Sequence, residues 1–490
     1  MNHTSDLNFT VILPEVILVL AAIGIIILDM FLVNDRKHRL AYFALAGVVA
    51  SAACTFLCRG HGASITFNGS FVTDFYSIFF KAIFYTAVTL TILMSIDYLP
   101  LAGISYGEYY ALLLFSTVGL MIMVSSANML VIYLGMELTA ISFSALIGFM
   151  QTNPRSNEAA IKYFILSLFA SGIFLYGVSL LYGVTGKLQI YGIAAEIAHS
   201  GSHLNPAMNP ALTVSLLLMI LGFGFKIAYV PFNMWVPDVY EGAPTSIAAY
   251  LSLGPKAAGL AIMLRLFLVA IAPLKIEWSS TLYFISVLTM TAGNVFALTQ
   301  NSIKRLLGYS GIAHVGYLLA GAATSAGNPQ AGISSIVFYI FCYIFFSLGT
   351  FAVLIYLYDQ NKMLEKIEDF NGLSRTSPLA AFIMTVFLLS LAGVPPTAGF
   401  MGKFLIFSAI IGSRMYVLAV ISVLNSAIAV YYYMRIVAAM YVKEPEGNLS
   451  GIDSISTEAA LMVMVAFSLL LGLFPDPLIT LALRTAKSLL

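Results

Sequence analysis

The sequence predicts an all-α polytopic membrane protein with about 14 transmembrane helices. Two observations lead there. Of 490 residues, 60% are hydrophobic and only 9% charged, where a soluble domain carries about a quarter charged residues. The apolar residues also come in long blocks, with a mean hydropathy of +0.95 over the chain. Each block reaches the roughly 20 residues that carry a helix across a hydrocarbon core. A transmembrane β-barrel needs segments of about 10 alternating residues, and the chain has none.

Turn and charge punctuation sets the segments near 11–33, 40–58, 75–96, 108–126, 128–150, 160–183, 211–237, 245–273, 280–300, 302–323, 331–358, 378–411, 413–441 and 457–483. The first is too long for a signal peptide and lacks a basic start and a small-residue cleavage site, so it reads as a retained span. An even number of crossings puts both termini on one side. Loop lysines and arginines choose that side. The loops holding Arg36, Lys37, Arg39, Arg155, Lys304, Arg305, Lys362, Lys366, Arg375 and Lys443 outweigh those holding Arg59, Lys187, Lys275, Arg414, Arg484 and Lys487. The expectation is a bacterial inner-membrane protein with both termini periplasmic.

Charge and cysteine usage narrow the function. With 23 basic and 22 acidic residues the net charge is +1, which offers no basic face for nucleic acid and no acidic tail. The cysteines Cys54, Cys58 and Cys342 cannot supply a metal knuckle or an iron–sulfur set. Among the histidines only His314 lies deep in an apolar block, which excludes a bis-histidine haem. No cofactor or metal is expected on this chain.

Some charges fall inside the segments, where each costs roughly 2.5 to 3.5 kcal/mol at mid-helix. Lys81, Lys162, Arg265 and Arg435 lie near enough to segment ends for snorkelling to explain them. Lys226, Lys256 and Lys403 do not fit that explanation, and Glu137 is the one acidic residue in the middle of a segment. Two of these lysines stand beside helix breaks. The stretch Gly222-Phe223-Gly224-Phe225-Lys226-Ile227-Ala228-Tyr229-Val230-Pro231 interrupts segment 7, and Gly393-Val394-Pro395-Pro396-Thr397-Ala398-Gly399-Phe400-Met401-Gly402-Lys403 interrupts segment 12. Glycine and proline free backbone groups that membrane depth tolerates only against protein or water.

The breaks suggest an internal duplication. Gly222-Phe223-x-x-Lys226 and Gly399-Phe400-x-x-Lys403 share a pattern 177 residues apart, and the same shift carries Glu137 to His314. Lys256 shifted likewise lands on Tyr433, so the second copy lacks that lysine. The expected organisation is a single membrane domain with three N-terminal helices (1–107), a first five-helix repeat (108–273), a second of opposite topology (280–441) and a C-terminal helix (457–490). Inverted repeats with broken helices meeting near the midplane mark ion-translocating architectures.

Lysine suits a proton relay because burial disfavours its charged form, letting it release and regain a proton. Histidine does so near neutral pH. A row of Glu137, Lys226, Lys256, His314 and Lys403, linked by water and hydroxyls such as that of Tyr309, can carry protons laterally. The 184–210 stretch, with His199, His203, Pro206 and Pro210, reads as a solvated external loop.

The run Tyr229-Val230-Pro231-Phe232-Asn233-Met234-Trp235-Val236-Pro237-Asp238-Val239-Tyr240-Glu241-Gly242-Ala243-Pro244-Thr245 makes the resemblance specific. With Gly254-Pro255-Lys256, Asn301 through Ser310, Ala313-His314-Val315-Gly316-Tyr317 and Leu391-Ala392-Gly393-Val394-Pro395-Pro396, the chain resembles, over nearly its whole length, the antiporter-like membrane subunits of respiratory Complex I. Its lysine at 403, where the M type has glutamate, and its end soon after segment 14, where the L type continues into a lateral helix, make it similar to the N type. The resemblance implies a proton-translocating subunit of NADH:quinone oxidoreductase. Glu137, Lys226, Lys256, His314 and Lys403 match the family's ionisable positions on spans 5, 7, 8, 10 and 12. NADH, FMN, iron–sulfur clusters and quinone are then expected in partner subunits, and the partners are other membrane-arm subunits, including neighbouring antiporter-like ones. The alternatives left open are a cation/proton antiporter subunit of Mrp type, a related hydrogenase or dehydrogenase membrane subunit, and a scaffold with static buried charge pairs.

Overall fold

The computed structural model describes residues 8–32, 37–57, 64–104, 107–199, 209–357, 364–445 and 451–490, with backbone alone at 275–277. Cys58, Arg36, Arg59, Lys362, His203 and Pro206 therefore lie outside the described residues. Helices dominate: α1 (Leu13–Phe31), α2 (Arg39–Leu57), α3 (Phe75–Ser95), α4 (Tyr98–Leu101), α5 (Glu108–Ser125), α6 (Met129–Ile147) and α7 (Pro154–Thr185) come first. Next are α8 (Ile190–His199), α9 (Pro210–Ile227), α10 (Trp235–Gly242), α11 (Thr245–Arg265), α12 (Lys275–Leu298), α13 (Ile303–Thr324) and α14 (Pro329–Tyr356). The chain closes with α15 (Leu373–Thr376), α16 (Pro378–Ala392), α17 (Ala398–Gly412), α18 (Tyr416–Val442), α19 (Ile455–Leu473) and α20 (Asp476–Leu489).

Among the described residues, 13 helices are long and apolar enough to cross a membrane. The predicted segment 378–411 is the exception. It is split into α16 and α17, each of 15 residues and so about 22 Å long, too short to span alone. A hairpin not foreseen in the sequence pairs β1 (Ser64–Thr66) with β2 (Phe71–Thr73), antiparallel with Ser64 opposite Thr73. Its turn runs through Phe67, Asn68 and Gly69, all at positive φ.

Helices apolar on every face belong in the interior, and α11, α13 and α14 are buried almost all round. In α1, α7, α12, α18 and α19 less than half of the apolar window is buried. The centre of the bundle is therefore built from the helices that carry Lys256, His314 and the tyrosines of α14.

Two stretches differ from expectation. The 184–210 region is not simply a solvated loop, because α8 buries Ile190, Ile193 and Ile197, an i, i+3, i+7 stripe that anchors one face. The last segment is broken at Phe474-Pro475, where proline cannot continue the helix. The amphipathic α20 then folds back, burying Leu478, Ala482, Thr485, Ala486 and Leu489, and Ser488 accepts a hydrogen bond from the Tyr76 amide at 3.3 Å.

Paired features recur along the chain. Asn128 caps α6 and bridges to Gln189, and Ser302 caps α13 and bridges to Lys366. In each case two amides close the link: Met129 to the Leu188 carbonyl (3.0 Å) and Ile190 to Ala127 (2.8 Å), then Ile303 to Glu365 (2.8 Å) and Ile367 to Asn301 (3.0 Å). The helix starts are 174 residues apart and the loop residues 177. At the breaks, Ala228 and Gly393 both adopt left-handed backbone (φ 66° and 82°), followed by cis bonds at Val230-Pro231 and Pro395-Pro396. These are 165 apart, so a single 177-residue shift does not describe the chain. Lys226 precedes its break by two residues, whereas Lys403 follows its break by ten from Gly393. The 174-residue spacing carries Glu137 to Gly311, where the 177-residue spacing carries it to His314. Elements between the landmarks differ in length, 32 residues in α7 against 28 in α14, and the offset drifts accordingly.

Candidate functional site

Lys226, Lys256, His314 and Lys403 are all at most 4% exposed. Lys226 lies in the last turn of α9, where the unpaired carbonyls of the helix end favour a cation. Its Nζ donates to the Met136 carbonyl of α6 at 2.9 Å, next to the half-buried Glu137. The carboxylate oxygen Glu137 Oε1 is buried without a hydrogen bond among the described residues. The lysine thus reaches the glutamate's own helix without bonding its carboxylate. Gly259 of α11 permits the approach on the other side, since a Cβ there would lie 2.7 Å from Ile227 Cγ1 and 3.6 Å from Lys226 Cβ.

One turn before Gly259, Lys256 follows Pro255 inside α11. Its Nζ makes no hydrogen bond among the described residues and lies 5.7 Å from the Tyr240 ring centroid, a weak cation–π contact. Tyr240 Oη is likewise buried and unpartnered. Beside it, Glu241, Lys304, Arg155 and Glu365 line a cavity of about 190 Å³, large enough for water.

His314 shares hydrogen bonds with two tyrosines, Nδ1 with Tyr339 Oη at 2.5 Å and Nε2 with Tyr433 Oη at 3.3 Å. Its ring centroid lies 5.3 Å from that of Tyr343. Lys403 Nζ donates to the carbonyls of Leu391 (3.1 Å) and Ala392 (2.9 Å), the end of α16, and to Ser426 Oγ (3.1 Å). It also stands 5.1 Å from the Tyr317 ring centroid. The crossing of α16 and α17 depends on Gly399, where any Cβ would collide with the Ser390 carbonyl.

The five predicted residues fall on α6, α9, α11, α13 and α17, and the hydroxyls bonded to them are those of Tyr339 and Tyr433 on His314 and of Ser426 on Lys403. Tyr309 is not among them; it is partly exposed and packs on Phe296 at 5.6 Å. Tyr339 and Tyr433 bond His314, and the rings of Tyr317 and Tyr343 pack on Lys403 and His314. Tyr317 stood in the Ala313 to Tyr317 run and Tyr433 at the position to which the 177-residue shift carries Lys256, whereas Tyr339 and Tyr343 lie in an apolar and aromatic stretch that carries no such signal.

The snorkelling explanation fails for two residues. Lys81 is buried and bonds Glu15 at 2.7 Å, joining α3 to α1. Arg265 is buried and grips Asp74 with two nitrogens, at 2.8 and 3.0 Å. Each partner lies far away in sequence, so no local pattern reveals it. Arg435 donates to the carbonyls of Leu298 and Gln300. Lys162 pairs with Glu158 (2.6 Å) and Asp238 (2.8 Å), and Arg305 with Asp238 (2.8 Å) and Glu241 (2.9 Å). Burial pushes the Asp238 carboxyl up, but hydrogen bonds from Lys162 and Arg305 outweigh it and hold the group below its ordinary value.

Broken helices beside buried, titratable side chains inside a bundle are an arrangement found in ion-translocating membrane proteins. Residues 126–429 match the family model described as NADH:quinone oxidoreductase/Mrp antiporter, transmembrane. A NADH-quinone oxidoreductase subunit N of Trichlorobacter lovleyi is 43% identical, covering 98% of this chain and 97% of the relative. A second, subunit N 1 of Koribacter versatilis, is 40% identical over 97% and 94%. The chain belongs to this family, in its NADH-quinone oxidoreductase subunit N branch. Among solved structures it is similar to a chain of respiratory complex I from Thermus thermophilus (TM-score 0.79, 29% identity, 95% of this chain and 98% of that one). A chain of the Mrp complex from Dietzia shares the fold at TM-score 0.82 with 19% identity, covering 99% and 98%.

Proposed function

We propose that this chain is a proton-translocating membrane subunit of NADH:quinone oxidoreductase. NADH oxidation and quinone reduction take place on FMN and iron–sulfur clusters in partner subunits, and neighbouring antiporter-like subunits flank the chain in the membrane arm. The observation that carries the reading is that Lys226, Lys256 and Lys403 are buried with no carboxylate bonded to any of them among the described residues. A static scaffold would pair its buried charges, as this chain does at Lys81 with Glu15 and at Arg265 with Asp74. Leaving three ammonium groups unpaired costs stability and gains groups that change protonation state.

In this reading Glu137 senses the charge state of the neighbouring subunit. Its unbonded carboxylate can swing toward Lys226 and hold its proton, or away and release it. The proton then passes through Lys256, His314 with its tyrosines, and Lys403. Two units of opposite topology, 108–273 and 280–441, flanked by 1–107 and 457–490, organise the path, and the recurring caps, bridges and left-handed breaks support that division. The excess of loop lysines and arginines on one side places both termini in the periplasm of a bacterial inner membrane.

The test uses the assembled complex in inside-out membrane vesicles. Glu137→Gln, Lys226→Met and Lys403→Met should each cut NADH-driven proton uptake at least tenfold while NADH:ferricyanide activity, which reports assembled redox subunits, stays unchanged. Full proton-to-electron stoichiometry in all three would sink the relay. Sodium-driven proton exchange by vesicles holding this chain alone would point instead to an antiporter.

A further inference from the structure

Gly311 occupies in α13 the place that Glu137 holds in α6, counted from the matching caps Ser302 and Asn128. No carboxylate stands there, and the tip of Lys256 fills the space from α11. A Cβ built at Gly311 would lie 2.7 Å from Lys256 Nζ and 3.3 Å from Tyr343 Oη. The ammonium and the phenol are thus at most about 6 Å apart, a gap that one water bridges, with only a glycine hydrogen at the point between them. Lys256 Nζ is buried and makes no hydrogen bond among the described residues. Tyr343 lies beside the histidine, its ring centroid 5.3 Å from that of His314 and 6.3 Å from that of Tyr339, whose hydroxyl shares the hydrogen bond at His314 Nδ1.

We propose that Gly311 is a transfer slot between the two halves of the chain, keeping open the gap through which Lys256 hands its proton, by way of the Tyr343 hydroxyl and then the Tyr339 hydroxyl on Nδ1, to His314. The step balances without a further reactant. The Lys256 ammonium becomes an amine, each intervening water or hydroxyl takes one proton and releases its own, and the His314 imidazole becomes imidazolium. Gly311 acts through Lys256 and is a positioning residue; Tyr343 carries the proton. The proposal rests on reading Lys256 as a relay group. An alanine is tolerable to the fold, since the atom it meets is the far end of a flexible side chain, but it drives the ammonium out of the gap.

The experiment compares Gly311→Ala, Tyr343→Phe, Gly308→Ala and Lys256→Met in the whole complex, reading proton uptake, NADH:quinone activity and its ratio in H2O and D2O. Gly311→Ala and Tyr343→Phe should each lower proton uptake at least tenfold and raise the solvent isotope effect, with NADH:ferricyanide activity unchanged. Gly308→Ala adds the same methyl one turn away, 3.3 Å from Val236 Cγ1, and should change neither. Tyr343→Phe removes one oxygen and no bulk, so it decides the matter even where Gly311→Ala fails to assemble. Equal losses in Gly308→Ala and Gly311→Ala would assign the effect to α13 packing and overturn the slot. Wild-type pumping in Gly311→Ala and Tyr343→Phe, with loss in Lys256→Met, overturns the slot and leaves the relay standing. Wild-type pumping in Lys256→Met brings down the relay itself.

Discussion

Replacing Asp74 by asparagine tests how the helix carrying Lys256 is held. Asp74 and Arg265 are 4% and 1% exposed, and the guanidinium gives two nitrogens to the carboxylate at 2.8 and 3.0 Å. Its Nε has no hydrogen bond among the described residues, and the next carbonyl, that of Val124, is 3.5 Å away. Asp74→Asn therefore strands a cation that cannot deprotonate, at a cost of about 3 to 5 kcal/mol. Asparagine keeps an oxygen for the Ser77 amide, which Asp74 accepts at 2.7 Å as the cap of α3. Asp74→Ala loses that cap as well and should be worse by about 1 kcal/mol. The assay is the rate at which the solubilised complex loses quinone reductase activity at a fixed temperature. If the pair is broken in the rate-limiting step, Asp74→Asn accelerates loss by about a hundred-fold to several thousand-fold. In an Arg265→Met background the same change should have little effect, because no buried cation remains. Equal acceleration in both backgrounds would refute the pairing argument.

Two further outcomes follow from the same geometry. Gly399→Ala should abolish assembly, because its methyl collides with the Ser390 carbonyl, and a native gel showing intact, active complex would contradict this. Asp238 has a depressed carboxyl value in the fold, so its contribution is complete above the unfolded value of about 3.9 and disappears as pH falls through the folded one. Asp238→Asn should cost about 1 kcal/mol or less near neutral pH, with mutant and parent inactivation rates converging in acid; a difference that widens on acidification would reverse the sign.

The spans were legible because membrane insertion writes itself into the chain as apolar length, and the glycine and proline runs announced the breaks inside 211–237 and 378–411. Segment 457–483 is the one that ends early, at Phe474-Pro475, where proline stops a helix without leaving the apolar composition that the segment reading relies on. Glu137, Lys226, Lys256, His314 and Lys403 stood out as candidates because an ionisable group in apolar sequence is conspicuous wherever its partner lies, and the burial of the last four agrees with that. What could not be read is direction and distance. Nothing local says that Lys81 meets Glu15, that Arg265 meets Asp74, or that Tyr339 rather than Tyr309 meets His314. The duplication expected from matching residue types rests on a shift of 177 residues that the helix caps and left-handed turns do not share. Ala228 is the reason: its left-handed backbone is what glycine at 393 would advertise, yet alanine carries no such signal.

The composition of the interior has a consequence for selectivity. A metal cation such as sodium needs oxygen ligands to replace its water, which a lysine side chain does not supply. Lys226, Lys256 and Lys403 instead present ammonium groups whose field repels an incoming cation. A proton is exempt, because it does not pass between these groups as an ion; it becomes part of them. In the proposed relay the charge that moves is therefore the one that can be carried as a covalent bond.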